Sequence, residues 1–227
     1  MQGKVACLTG NHLKLIAAFT MLLDHMGVLL FPDVLLLRFI GRLSYPLFAF
    51  MIAEGCRYTK NKLRYFLLIF GLGAAYQLAY DLVDDVIHLN ILLTFSMAIL
   101  LIYILQAAIH SEKKILWWAL FAALTLGVYV LDQTIIIDYG FWGVMIPVLV
   151  GFAHIRKFPH WAAVLLVGIG LVRMCMLYEY FQRYSLLVLP ILLLYSGKRG
   201  KANLKYFFYI FYPAHLVVLQ GIAWLMG

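Results

Sequence analysis

The sequence predicts an all-α, polytopic integral membrane protein, with about nine transmembrane helices in one bundle and the N-terminus in the cytoplasm. Three observations carry this. Of 227 residues, 65% are hydrophobic and 12% charged, where a soluble domain averages about 45–50% apolar and about 25% charged. The mean hydropathy is +0.94. Apolar runs close to the length of a bilayer crossing, about 20 residues, recur along the whole chain. Such a composition excludes a soluble enzyme, a disordered tail and a nucleic-acid module. Residues 1–227 read as one membrane domain.

Helices are expected at 12–31, 35–56, 62–80, 89–109, 115–131, 139–155, 160–177, 181–196 and 204–226. Each run ends where charge, Gly or Pro interrupts it. The first continues past Asp24 and His25 without a small-residue cleavage site, so no cleavable leader is expected. Arg57, Lys60, Lys62 and Arg64 separate the second run from the third. Asp81, Asp84 and Asp85 close the third, and Lys113 and Lys114 the fourth. Asp132 and Asp138 follow the fifth, and Arg156 and Lys157 the sixth. A mixed loop with Arg173, Glu179 and Arg183 precedes the short eighth run, and Lys198, Arg199, Lys201 and Lys205 precede the last. Backbone groups without water partners must bond within their own segment, so these runs are helices and no strands are expected. The loops alternate in sign. Basic loops stay in the cytoplasm, which makes the net charge of +8 a topological signal. Some attraction to anionic lipid headgroups follows, and no nucleic-acid partner, because no single face collects the basic residues. Cys7, Cys56 and Cys175 fit neither a zinc spacing nor a disulfide framework.

No connection is long, so any chemistry lies between helices or at their ends. Charge at membrane depth is costly and marks functional positions. The first helix holds Lys14, Asp24 and His25, the second Arg38, Arg42 and Glu54, and the last His215 and Gln220. The two ends of the chain therefore carry the polar residues and are expected to meet. Lys14 and His25 are eleven residues apart and fall on nearly the same helix face. His25 suits general-base work. Asp24 points about 100° away from it and is placed either to orient an imidazole such as His215 or to pair with Arg42. Arg42 suits a phosphate or a developing oxyanion; the alternative is a structural knot of Asp24, His25 and Arg42 that holds two helices together. Gly41 permits close approach, and Pro46 kinks the second helix and frees a carbonyl. Glu54, at the depth of Lys14, either pairs with it or meets substrate. His215 could satisfy the carbonyl that Pro213 frees near Tyr209. Tyr206, Tyr209 and Tyr212 form a stripe that reads as core. Asn90 and Asp81 read as helix caps. His12, His88, His110, His154 and His160 lie near helix ends and are expected in solvent. No metal-ligand spacing occurs.

Three stretches, LTGNHLKLIAAFTMLLDHMG (8–27), RFIGRLSYPLFAFMIAEGCRYTKN (38–61) and LLLYSGKRGKANLKYFFYIFYPAHLVVL (192–219), resemble the TraX family, named for the membrane protein needed to N-acetylate conjugative pilin. QLAYDL (77–82), LNILLTF (89–95) and DYGFWGV (138–144) add weaker likeness, so the resemblance covers most of the chain. The family is similar in pattern to larger integral-membrane acyltransferases, whose first helix has a basic residue, ten residues and a catalytic histidine. Lys14-x10-His25 looks like that motif, with Lys where Arg is usual. The resemblance implies a bacterial cytoplasmic membrane and acetyl transfer from cytoplasmic acetyl-CoA. The site it implies has His25, Asp24 and His215 as catalytic candidates. Lys14, Arg42, Glu54, Arg57 and Tyr212 are candidates for binding, with Arg42 and the cytoplasmic basic residues on the CoA phosphates. The acceptor is an amine such as the N-terminus of a membrane-inserted pilin-like protein, or another group. Direct transfer and a transient acetyl-histidine both fit. Three other functions remain open on the sequence: O-acetylation of a cell-surface glycan, a small non-enzymatic transporter, against which the lack of an internal repeat argues, and a purely structural assembly role. The oligomeric state is open, a homodimer included.

Overall fold

The computed structural model describes residues 6–80, 88–177, 180–202 and 204–226. Its elements are α1 (Gly10–Leu29), α2 (Leu35–Gly41), α3 (Ser44–Tyr58), α4 (Lys62–Tyr80), β1 (His88–Leu89), α5 (Ile91–His110), α6 (Lys114–Thr134), β2 (Ile136–Ile137), α7 (Gly140–Ile155), α8 (His160–Leu177), a 3-10 segment (Tyr180–Leu187), α9 (Val188–Leu193) and α10 (Lys205–Met226). The expected acidic residues Asp81, Asp84 and Asp85, and Glu179 of the mixed loop, lie outside the described residues, as do the side chains of Tyr206 and Tyr209.

The helical class and most helix positions agree with expectation. Three details differ. The expected 35–56 helix is broken at Arg42–Leu43. Pro46 contributes to it: it has no N–H for the carbonyl of Arg42, and its ring crowds that carbonyl. The expected 181–196 helix is a 3-10 segment followed by the six-residue α9, where Pro190 likewise has no N–H for the carbonyl four residues back. Two strands exist where none was expected: β1 and β2 pair in parallel, His88 with Ile136 and Leu89 with Ile137. They are two residues long and tie helix ends together rather than form a sheet that spans anything. Among the described residues, five helical stretches are long and apolar enough to cross a membrane: α1, α2 with α3, α5, α6 and α8. α7, 181–193 and 210–226 are shorter apolar helices.

The chain falls into two compact units, Met1–Met51 with Cys175–Gly227, and Ile52–Met174. In the first, the start of α1 is sewn to the segment after α9. Leu8 N donates to Leu194 O, Gly10 N to Lys198 O at 2.7 Å, and Asn11 N to Arg199 O at 3.0 Å. The Asn11 side chain donates to Ala202 O at 2.7 Å. Thr9 caps α1, with His12 completing a reciprocal capping box. α1 buries Leu13, Ala17, Met21 and Asp24 on one stripe, the spacing of a helix face turned inward. Leu47, Phe50 and Leu192 are fully buried in the same unit.

In the second unit α5 packs against α4, α6 and α7. Gly151 of α7 lies against Ile102, where an added Cβ would approach Cγ1 to 2.8 Å. Asn90 caps α5 as expected: its side-chain oxygen accepts from Leu92 N and Leu93 N. Its amide nitrogen donates to Gly73 O and to Gln77 Oε1, each at 2.9 Å. Gln77 in turn donates to His88 O, so the buried polar groups beside β1 are satisfied by one another.

Candidate functional site

α1 and α10 pack together within the first unit, and the expected meeting of the chain's two ends is present there. The face of α1 that carries Lys14 and His25 meets α10 at two levels. Lys14 Nζ stands 5.8 Å from the centroid of the Phe208 ring, a cation–π contact. Deeper along the helix, His25 Nδ1 lies 3.2 Å from His215 Nε2, with ring centroids 5.0 Å apart. Eleven residues of α1 and seven of α10 both return the chain to the same face of a helix of 3.6 residues per turn.

The hydrogen bonds define the tautomers. His25 Nδ1 is 2.9 Å from Met21 O, and His215 Nδ1 is 2.8 Å from Phe211 O. A carbonyl only accepts, so each Nδ1 carries hydrogen. His215 Nε2 then has a lone pair facing His25 Nδ1–H, which it shares with Met21 O. That leaves the lone pair of His25 on Nε2, the atom available to take a proton. Phe211 stacks on His215 at 4.9 Å with 8° between planes, and Tyr212 meets its edge at 6.1 Å. The expectation that His215 serves the carbonyl freed by Pro213 is corrected: the ring reaches the carbonyl one turn behind it, that of Phe211.

Asp24 takes the second of its two expected roles. Arg42 Nη2 donates to Asp24 Oδ1 and Oδ2 at 3.3 and 3.4 Å. Arg38, not singled out for the site on sequence, stands 3.1 Å from Oδ1 through Nη1. Its signal was its place one turn before Arg42 on the same face. One carboxylate thus meets two guanidiniums. The close approach comes from Gly41, since a Cβ there would lie 2.7 Å from Asp24 Cα. Arg42 is 8% exposed, and its Nε is buried without a hydrogen-bond partner among the described residues. A buried N–H left unmade is costly, and this atom can still donate to an acceptor oxygen.

Glu54 and Arg57 are in the second unit. Glu54 is 2% exposed, and its Oε1 lies 3.1 Å from His154 Nε2 and 3.5 Å from Arg57 Nη1. The expectation of a solvated His154 is therefore corrected. The histidine belongs to the last turn of α7, but its inner neighbour is the Glu54 carboxylate, and pairing is what allows a carboxylate to be buried. Arg57 also lies over the Tyr58 ring at 5.1 Å. The eight candidate residues thus separate: six, namely Lys14, Asp24, His25, Arg42, Tyr212 and His215, gather in the first unit, and two in the second.

The family model described as TraX protein matches residues 9–223. The chain is 30% identical over 236 residues, 91% of this chain and 92% of the relative, to a probable fimbrial assembly protein, FimC of serogroup H1, from Dichelobacter nodosus. No solved structure matches. A match that runs through α1, α2 and α10 takes in every residue of the imidazole and guanidinium clusters, and the chain belongs to the TraX family.

Proposed function

We propose that this protein is an integral-membrane acetyltransferase that moves an acetyl group from cytoplasmic acetyl-CoA to the amine of a membrane-inserted, pilin-like protein. The observation that carries the reading is the His25–His215 contact, which leaves one imidazole lone pair at membrane depth. Kinship with TraX and with a fimbrial assembly protein supports a pilin-related acceptor.

Acetyl-CoA supplies an activated thioester. His25 Nε2 accepts the proton of the attacking amine, while Met21 O and His215 hold the ring in the tautomer that this requires. Arg42 Nε–H offers a hydrogen bond to the thioester oxygen as negative charge develops there, the use its unpartnered, buried state suits. Asp24 holds that guanidinium in place. His25 then returns its proton to the departing sulfur, and protons balance.

The test is thiol release from acetyl-CoA by purified protein in the presence of a pilin N-terminal peptide. His25→Ala is expected to lower turnover by about 10²–10⁴-fold, the range for a lost general base. Turnover equal to wild type would reject the assignment.

A further inference from the structure

The segment after α9 is unusual in how its charge is held. Lys198, Arg199 and Lys201 are all exposed, yet the backbone that carries them is pinned. Gly10 N and Asn11 N bond the carbonyls of Lys198 and Arg199, and Asn11 Nδ2 bonds Ala202 O. Gly200 has φ +94° and packs on Asn11 so closely that a Cβ would fall 2.9 Å from its side chain. Lys14 follows one turn into α1 from the pinned Gly10 and Asn11, so the same end of the helix carries a fourth cation. No ion pair among the described residues includes any of the four. The described carboxylates of this unit are Asp24 and Asp33, and Asp24 lies about 21 Å along α1 from Gly10. A basic loop that served orientation alone would need only its charge. This one is fastened in a single place, at the start of α1, the helix that carries His25 about 21 Å beyond Asn11.

We propose that Lys198, Arg199 and Lys201, backed by Lys14, form a phosphate site, and that its ligand is the phosphate-bearing end of the acyl donor. This rests on the acetyl-CoA reading given above. Of the two groups that the resemblance offered for the phosphates, Arg42 and the cytoplasmic basic residues, it keeps the second: Arg42 is engaged by Asp24 of the deep half of α1. A donor that is anionic at one end and reactive at the other is matched by cations at the start of α1 and a base further in. Lys and Arg at such a site bind phosphate oxygens by charge-assisted hydrogen bonds.

The experiment is equilibrium binding to full-length protein in lipid nanodiscs, with CoA and with dephospho-CoA, which has no 3′-phosphate. Wild type is expected to bind CoA about tenfold more tightly, the factor that corresponds to about 1.4 kcal/mol. Lys198→Gln/Lys201→Gln is expected to erase that preference, and Lys113→Gln/Lys114→Gln to keep it. Nanodiscs of zwitterionic and of phosphatidylglycerol lipid, and flotation with vesicles of each, separate a nucleotide phosphate from a lipid phosphate. If wild type binds CoA and dephospho-CoA equally, and both variants do as well, the phosphate site is overturned while the donor reading stands. If the first variant loses only its attraction to phosphatidylglycerol vesicles, the nucleotide assignment is overturned. If wild type binds neither nucleotide, the donor reading fails and the phosphate assignment with it.

Discussion

Replacing Asp24 by Asn isolates the energetics of the guanidinium cluster. The carboxylate meets Arg38 at 3.1 Å and Arg42 at 3.3 Å. At an effective dielectric near 20, a unit pair at that separation is worth about 5 kcal/mol before desolvation is counted. Most of that gain is offset by taking the ions out of water, so the net effect of substitution is governed by what is left behind. The two arginines differ in this. The Arg38 side chain is 21% exposed and can turn its head toward the interface. The Arg42 side chain is 9% exposed and cannot. Removal of one partner of a buried pair costs about 3–5 kcal/mol; with Arg38 relieved, the expected loss is about 3 kcal/mol. The double variant Asp24→Asn/Arg42→Gln removes the stranded charge as well and is expected to lose about 2 kcal/mol less than the single one. The assay is reversible unfolding in mixed micelles as SDS is raised, followed by the fluorescence of the five tryptophans. A single variant within about 0.5 kcal/mol of wild type, or a double variant as unstable as the single, would refute the reasoning.

Gly41→Ala puts a Cβ 2.7 Å from Asp24 Cα and is expected to lower stability in the same assay by about 1–3 kcal/mol. Gly71→Ala, in α4 with nothing within 4 Å, is expected to be neutral or stabilising by up to about 1 kcal/mol; equal effects at the two sites would exclude a close α1–α2 crossing. His215→Leu takes away one of the two acceptors that His25 Nδ1–H faces, leaving Met21 O. It is expected to reduce kcat at least about tenfold with KM for acetyl-CoA unchanged, and a change confined to KM would place His215 in donor binding instead. For orientation, a membrane-impermeant maleimide on a chain with Cys7, Cys56 and Cys175 replaced should label Gln133→Cys from outside intact cells. Glu112→Cys, beside Lys113 and Lys114, should react only after the membrane is opened; the reverse pattern would invert the topology.

Helix positions were readable because hydrocarbon admits few backbone arrangements and the charged punctuation is strong. Pairings on neighbouring helices of one hairpin were readable too. Asp24 and Arg42 follow from depth alone, because α1 and α2 are joined by a short turn and Gly41 removes the side chain between them. The meeting of the chain's two ends was readable from polar residues confined to them, but the pairing of His25 with His215 was not: the sequence offered His215 to Asp24 or to a carbonyl that Pro213 frees. Glu54 with His154 was not readable. They are 100 residues apart in sequence, on α3 and α7, and nothing in either helix specifies the partner or its rotation. A histidine at a helix end looks solvated until the carboxylate that faces it is known. The break at Arg42–Leu43 was foreshadowed by Pro46, but a proline specifies a lost hydrogen bond, and whether the helix bends or stops depends on what packs against it.

The direction of α10 relative to α1 constrains more than the site. Lys14 meets Phe208 and His25 meets His215, so both helices advance the same way. Their starts are also at one end, since Gly10 N bonds Lys198 O a few residues before α10 begins. α2 and α3 run opposite to α1: Gly27 lies against Leu37, Gly41 against Asp24 and Gly10 against Met51. Two parallel helices that both cross a bilayer have their starts on one side, so the chain between them must cross an odd number of times, and the total is odd. An antiparallel α10 with His215 still beside His25 would carry Phe208 toward the end of α1 and away from Lys14. It would also set the basic segment at the opposite end from the start of α1. Parallel pairing is therefore what brings Lys14 to Phe208 and the basic segment to the start of α1 while His25 and His215 meet further along the same two helices.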